Sequence, residues 1–479
     1  MNAYDKQFIG GVWREGRGEA VLSNLNPFTG ETLYTYRAAS RADLDDAYQA
    51  AKAAQKDWAA LLPAERQAYL ERLAPTWTAM REEILEVQRA EGGFTRAKAD
   101  YEFGCPLEFM RLAVSYPLQM NGLIQPSNLL GKENYIYRSP KGVIGVIAPW
   151  NVPLVLALRS VLPAVAMGNG VVLKPSSDTP AAGFLVGELF DRAGFPKGLV
   201  NVIAGRGADI GDAFVTHPVP AAISFTGSTE VGRRIGSLAG GLLKEASLEL
   251  GGNNAMLVLA DADLDLAANN CAWSACFNAG QVCMAVNRVI VLDQVYDAFV
   301  EKLVRAVSAL RVGDPADPQT DLGPMINRGQ LEKAEGYIRE TLAAGAKAAL
   351  EGRSEGNLMY PWVLTEVTND MPTARNEVFA PVCSVLRAAD EEEALALAND
   401  TEYGLSGCVY TADRYHGMEL ARRLESGMAH VNDQSINDEP HVLFGGDKQS
   451  GLGRFNGSWV LDKFTTQKWV SVQNTPRLH

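Results

Sequence analysis

Six cysteines in 479 residues are too few for a disulfide framework. They are expected to stay reduced, which points to a cytoplasmic setting. Histidine is scarcer still, at five, and none stands in a catalytic-looking context, so a Cys–His dyad is poorly supported. Positive charge is in deficit: Lys plus Arg number 44 against 57 for Asp plus Glu, a formal net charge of -13. That balance argues against non-specific nucleic-acid binding and favours a soluble, self-repelling surface. Long apolar runs are also missing. The longest, residues 143–158, is interrupted by Pro149, Asn151 and Pro153 and stops at Arg159. It makes a poor membrane span and a plausible buried strand followed by a loop and helix. The opening Met1-Asn2-Ala3-Tyr4-Asp5-Lys6 leads into no apolar stretch of the signal-peptide kind. No low-complexity tract or repeat is present.

What is present is the composition of a globular protein, 47% hydrophobic and 21% charged. A chain this long exceeds one ordinary core, so two or three domains are expected. Asn26-Pro27-Phe28-Thr29-Gly30-Glu31 marks a turn between two strand-like runs, and residues 41–91 read as helical. Strands and helices then alternate: strands at 143–147 and 170–174, a helix over 181–193 ended by Gly194, strands at 200–203 and 221–225, and a helix opening after Gly227. This rhythm predicts an α/β fold with a doubly wound parallel sheet. It restarts near Gly251 with a strand at 255–259 and a helix from Asp265, which places a domain boundary there. Residues 465–472 read as a final strand, of the kind that docks on another subunit's sheet edge.

Two reactive groups stand in glycine-marked turns. Glu249 lies in Leu248-Glu249-Leu250-Gly251-Gly252 and Cys283 in Gly280-Gln281-Val282-Cys283, a separation of 34 residues (283 minus 249). A thiolate attacks carbonyl carbon and later departs, and a carboxylate can strip a proton from the water that hydrolyses the thioester left behind. The pair points to covalent chemistry on an acyl or aldehyde carbon. Cys271 and Cys276, in an apolar helix-like run, read as core thiols. Together with Cys283 they lack the C-x-x-C pair or neighbouring histidine of a metal site, so no metal is expected. Asp261-Ala262-Asp263-Leu264-Asp265 imitates the start of a calcium loop, but Leu266 and Ala272 stand where glycine and glutamate would be needed. It is better read as acidic capping of a helix.

Other turns keep two readings each. Gly205-Arg206-Gly207-Ala208-Asp209-Ile210-Gly211 puts its third glycine one residue late for a dinucleotide fingerprint, so Gly207 and Gly211 either touch a nucleotide or start a helix. After Phe225-Thr226-Gly227, Ser228 and Thr229 can cap a helix whose N-terminus faces phosphate, or merely close a strand–helix turn. Lys174 ends a parallel strand, where ligands bind in open sheets, or is only a solvated strand end. Asn151, between Pro149-Trp150 and Val152-Pro153, either offers an amide to a developing oxyanion or serves the turn.

Taken together, the segments closely resemble the aldehyde dehydrogenase superfamily over nearly the whole chain. Pro149-Trp150-Asn151, Lys174-Pro175-Ser176, Phe225-Thr226-Gly227-Ser228, Leu248-Glu249-Leu250-Gly251-Gly252, Gly280-Gln281-Val282-Cys283, Glu377-Val378-Phe379 and Phe444-Gly445-Gly446 occur in that order. The resemblance implies two doubly wound parallel-sheet domains and a small β bridging element. These are a cofactor domain over 1–117 and 141–252, a catalytic domain over 253–445, and a bridging or oligomerisation element over 118–140 and 460–479. It also implies a homodimer or homotetramer. Carried over residue by residue, Cys283 is expected to be the nucleophile and Glu249 the base for deacylation. Asn151 with the Cys283 N–H would form the oxyanion hole. Trp150, Lys174, Ser177, Gly207, Gly211, Gly227, Ser228, Gly232, Glu377 and Phe379 would hold NAD or NADP, and nearby donors would help ionise the thiol.

Ser177 stands where NAD-preferring relatives often carry a glutamate on the ribose 2′-hydroxyl, so NADP is expected to be accepted alongside NAD. The segment Val431-Asn432-Asp433-Gln434-Ser435-Ile436-Asn437-Asp438-Glu439-Pro440 is similar to that of the branch that oxidises benzaldehyde, vanillin and salicylaldehyde. Arg159 replaces a bulky aromatic found in many aliphatic-aldehyde relatives. With Val152, Val282 and Met284 it is expected to line the substrate channel, unless it simply pairs with an acidic residue. The alternatives are a semialdehyde dehydrogenase with Arg159 on the substrate carboxylate, a non-redox thiol acyl hydrolase or transferase, and a catalytically silent relative. The intact Asn151, Glu249 and Cys283 count against the last, and Glu249 counts against transfer to CoA.

Overall fold

The structure, a computed structural model, describes residues 4–477. The ends of the cofactor and bridging assignments, 1–3 and 478–479, lie outside the described residues. The first sheet has eight strands, in the order Val12–Arg14, Gln7–Ile9, Val200–Val202, Gly170–Lys174, Val143–Ile147, Ala222–Thr226, Glu245–Glu249, Gly451–Leu452. The five strands from Val200–Val202 to Glu245–Glu249 are parallel, and antiparallel strands close both edges. The parallel part starts in the middle at Val143–Ile147, winds outward one way through Gly170–Lys174 and Val200–Val202, then returns to the other side with Ala222–Thr226. The order therefore reverses between Val143–Ile147 and Ala222–Thr226, and loops leaving the carboxyl ends of these strands diverge there to open a crevice. Asn151 and Gly227 are in those two loops.

A second, seven-stranded sheet runs Lys347–Leu350, Trp362–Thr365, Val382–Ala388, Val286–Leu292, Asn254–Val258, Gly407–Tyr410, His430–Val431, parallel except for its first strand. Gly170–Lys174, Asn254–Val258 and Val286–Leu292 are buried along their whole length. Strands covered on both faces tend towards apolar runs, and the first two were expected at 170–174 and 255–259; Val286–Leu292, interrupted by Asn287 and Arg288, was not. Residues 250–253 carry the chain from the carboxyl end of Glu245–Glu249 straight to the amino end of Asn254–Val258. One sheet's ligand edge therefore faces the edge of the other at which Cys283, three residues before Val286–Leu292, is held.

The helix over 181–193 is observed as Pro180–Arg192, with Gly194 left-handed at φ +73° just beyond it. The helix after Gly227 is Thr229–Gly241, N-capped by Ser228, whose Oγ accepts from the Val231 N–H at 3.4 Å. The calcium-like segment is a helix cap: Asp263 Oδ1 accepts from the Asp265 and Leu266 N–H groups, each at 3.1 Å. A third sheet pairs Thr465–Gln473 antiparallel with Lys132–Pro140, and Leu123–Gln125 lies on the far side. The expected last strand is thus present, and it pairs along its length with its own chain. No helix among the described residues is long and apolar enough to cross a membrane.

Candidate active site

Cys283 follows a tight turn at Phe277–Gly280, where Asn278, Ala279 and Gly280 are all left-handed, at φ +53°, +54° and +71°. Asparagine tolerates this region and alanine does not, so the turn stores strain of the kind found at functional sites. Glycine is required at 280 twice over, since a Cβ there would also fall 2.3 Å from the Ala380 carbonyl oxygen. Buried Gln281 pins the turn: its Nε2 donates to the Asn278 and Pro324 carbonyls at 3.0 and 3.3 Å, and its Oε1 accepts from the Ile326 N–H at 2.9 Å.

The Asn151 loop is bonded to this turn in both directions. Asn151 Nδ2 donates to the Gln281 carbonyl at 2.9 Å, and Asn278 Nδ2 donates to the Asn151 carbonyl at 3.3 Å. Segments 130 residues apart are thereby locked side by side, and one N–H of the Asn151 amide stays available. From the opposite side, buried Asn254 holds the nucleophile's backbone. Its Nδ2 donates to the Cys283 and Ala285 carbonyls, both at 2.8 Å, while its Oδ1 accepts from the Ser406 N–H at 3.0 Å. Gly252 permits this approach, because a Cβ on it would lie 2.4 Å from the Cys283 carbonyl oxygen.

A cleft of about 140 Å³ opens beside the thiol, lined among others by Trp150, Asn151, Gly227, Ser228, Cys283, Glu377 and Phe379. Trp150 and Phe379 meet edge to face at 5.5 Å, with Phe379 left-handed at φ +56°. Glu377 Oε1 accepts from the Gly252 N–H at 3.0 Å, and burial raises its carboxyl to about 7 against that bond. Lys174, 5% exposed, donates from Nζ to the Pro175 carbonyl at 3.2 Å, and burial lowers its ammonium to about 8. A buried lysine with one backbone partner, a capped helix N-terminus and an aromatic-walled cleft with a carboxylate at its rim fit a dinucleotide cofactor.

Glu249 is 3% exposed, and neither carboxylate oxygen has a protein hydrogen-bond partner. Burial raises it from an ordinary 4.5 to about 8, partly offset by the charges of Arg159, Arg454 and Lys463. The thiol does not meet the expectation of assisted ionisation. Burial, reinforced by Glu377 and Glu249, pushes Cys283 up to about 12, with Arg159 opposing.

The other expected residues differ in how they stand to this cleft. Gly207 and Gly211 have nothing within 4 Å of a would-be Cβ, so no close approach demands glycine at the start of Gly207–Thr216. Gly232 packs its helix, since a Cβ there would come 2.3 Å from Leu250 Cδ2. Ser177 and Lys174 lie outside the lining of the cleft beside the thiol. Val152, Val282 and Met284 are buried with Phe109, Ile436 and Phe444 in the apolar cluster against which Cys283 packs. Arg159 does have an acidic partner, Asp438, in a buried ion pair. Missed by sequence reasoning were Asn254, Gln281 and Asp438, together with Gln330 and Lys333, which reach the cleft from the helix Arg328–Ala343. Asn254 stood in plain view after Gly251-Gly252; nothing about an ordinary helical lysine marks Lys333.

The chain belongs to the aldehyde dehydrogenase family, whose model matches residues 13–470. It is 48% identical to a vanillin dehydrogenase of Corynebacterium glutamicum over 473 residues, covering 98% of each chain. It is 46% identical to the benzaldehyde dehydrogenase YfmT of Bacillus subtilis, covering 99% of this chain and 98% of that one. Among solved structures it is similar to an NAD-dependent benzaldehyde dehydrogenase from Corynebacterium glutamicum, with a TM-score of 0.91, 45% identity and 98% of each chain covered. The α/β fold with two wound sheets is the family's fold.

Proposed function

We propose that this enzyme oxidises an aromatic aldehyde, of the benzaldehyde or vanillin kind, to its carboxylic acid with NAD. The observation that carries the reading is the two-way bonding of the Asn151 and Cys283 loops at a cleft shared with Gly227, Glu377 and Phe379. An apolar, aromatic-rich cluster around Val152, Val282, Met284 and Phe444 behind the thiol suits a ring. The names of the relatives point the same way. Arg159 already has Asp438 as counter-ion, which weighs against its gripping a semialdehyde carboxylate.

In this reading Trp150, Lys174, Ser177, Gly227, Ser228, Glu377 and Phe379 hold the cofactor, while Gly207, Gly211 and Gly232 lie in the helices Gly207–Thr216 and Thr229–Gly241. The bound nicotinamide supplies the hydride acceptor. Once its thiol proton has passed to solvent, Cys283 Sγ adds to the aldehyde carbon as the carbonyl π bond opens onto oxygen, and the free Asn151 N–H with the Cys283 N–H stabilises the oxyanion. After oxidation Cys283 carries the acyl group as a thioester. Glu249 then takes a proton from water, the water oxygen adds to the thioester carbonyl, the C–S bond breaks and the acid leaves.

The domain division follows the three sheets: cofactor binding on the first, catalysis on the second, and the third as a bridging element of a homodimer or homotetramer. Ser177 leaves room for a 2′-phosphate, so NADP is used as well. Benzaldehyde, vanillin, hexanal and succinate semialdehyde, each assayed with NAD and with NADP, test the whole reading. A higher kcat/KM for hexanal or the semialdehyde than for the aromatic pair would overturn the substrate class, and absence of turnover with NADP would overturn the Ser177 argument.

A further inference from the structure

We infer that Arg159 is a positioning residue for the general base: its buried guanidinium favours the charged form of Glu249 that deacylation needs, against the pull of burial, and it does not read the substrate. The inference rests on the proposed role of Glu249. Arg159 is 4% exposed on the helix Pro153–Ala166, and Ser160 beside it hydrogen-bonds Ser224 of the strand Ala222–Thr226 at 2.9 Å. That strand is the parallel neighbour of Glu245–Glu249. Two consecutive residues tie the two charged groups together. Phe444 lies under the guanidinium at 3.9 Å from its ring centre, and a Cβ on Gly445 would be 3.2 Å from Glu249 Oε1.

The hydrogen-bond inventory points the same way. Arg159 spends Nη2 on Asp438, while Nε and Nη1 have no protein acceptor, and both Glu249 oxygens have no protein donor. Orphaned donors on Arg159 and orphaned acceptors on Glu249, all buried, flank the same two residues, Phe444 and Gly445, in an interior where charges couple strongly. Two further cations face the carboxylate, and both are worse placed. Arg454 is engaged by Asp447 and by the Gly446 and Gly453 carbonyls. Lys463 packs on Gly453, is only partly buried, and also faces Glu245, Lys141 and Arg454. Asp438 is a facing carboxylate that opposes ionisation of Glu249. On the other flank of Arg159 stand Tyr101 and Cys105, from the helix Arg96–Ala113.

Deacylation is isolated by 4-nitrophenyl benzoate, which acylates Cys283 with loss of nitrophenolate and needs no cofactor. The burst reports acylation and the following steady rate reports hydrolysis of the thioester. In Arg159→Met the rise of the steady rate with pH is expected to move about one unit to higher pH, a roughly tenfold loss at neutral pH, with the burst retained. Arg159→Lys should restore most of the shift. Asp438→Asn should move the profile the other way, which a merely structural role for the pair would not do. An Arg159→Lys profile displaced as far as that of Arg159→Met, an unmoved profile in Asp438→Asn, or a raised KM for benzaldehyde with an unchanged profile in Arg159→Met, would overturn the inference. If Glu249→Gln leaves the steady rate intact, it is the assignment of the base that fails.

Discussion

The two halves of the site are built to opposite rules. Around Cys283 and Asn151 the amide side chains of Asn151, Gln281 and Asn254 all bond to backbone, and the backbone of the nucleophile is gripped from two sides. Neither oxygen of Glu249 is bonded to protein, and Arg159 beside it leaves two nitrogens equally unpaired. The difference teaches what each group must do. A nucleophile and an oxyanion donor work by being in place before the substrate arrives, so strain and hydrogen bonds are spent on fixing them. A base must accept a proton, and a carboxylate committed to fixed donors would be a weak one.

The largest break in that comparison is Glu249→Gln. It should lower steady aldehyde oxidation roughly a thousandfold while preserving the first turnover of reduced cofactor, seen as a burst in stopped-flow absorbance. Loss of the burst along with the steady rate would place Glu249 in acylation. On the fixed side, Gly252→Ala pushes on the Cys283 carbonyl and is expected to cost roughly a hundredfold in kcat. The NAD affinity, read by fluorescence titration, should change little, and a kcat near wild type would mean the loop yields freely.

A smaller effect concerns the thiol itself. With its pKa pushed up to about 12, Cys283 in the cofactor-free protein should react with iodoacetamide at roughly a tenth of the rate of a free thiol or slower at pH 8. The rate should keep climbing above pH 9, and adding NAD should speed it. A plateau near a free thiol's pKa would show that the site ionises Cys283 unaided. The smallest effect is reserved for Gly207→Ala and Gly211→Ala. Both positions are open, so thermal stability should hold or rise by about 0.5–1 kcal/mol. The KM for NAD should not move unless these glycines do approach the cofactor.

Much of this was legible in the chain. The strand at 170–174 and the helix after Gly227 are where the pattern put them, because fully apolar runs and a serine cap are local signals that tertiary context had no reason to override. Cys283, Glu249 and Asn151 were conspicuous for being polar residues in glycine or proline turns at strand ends. The reading of Arg159 went only halfway: an acidic partner was considered, yet nothing could say that it lies 279 residues away at Asp438. Lys333 and Gln330 were out of reach for the same reason, as residues of an unremarkable helix.

By itself the sequence determined the inventory of the chemistry, one thiol, one carboxylate and one amide, and the order of strands that carries them, because these depend on residue type and short-range pattern. Tertiary structure alone decided how each group behaves. Burial raises both the thiol and the base, Asn254 and Gln281 hold the nucleophile still, and Arg159 faces Glu249 across Phe444-Gly445. The strength of an acid or base in a protein is set by the charges and water around it. Those neighbours come from parts of the chain that only folding brings together.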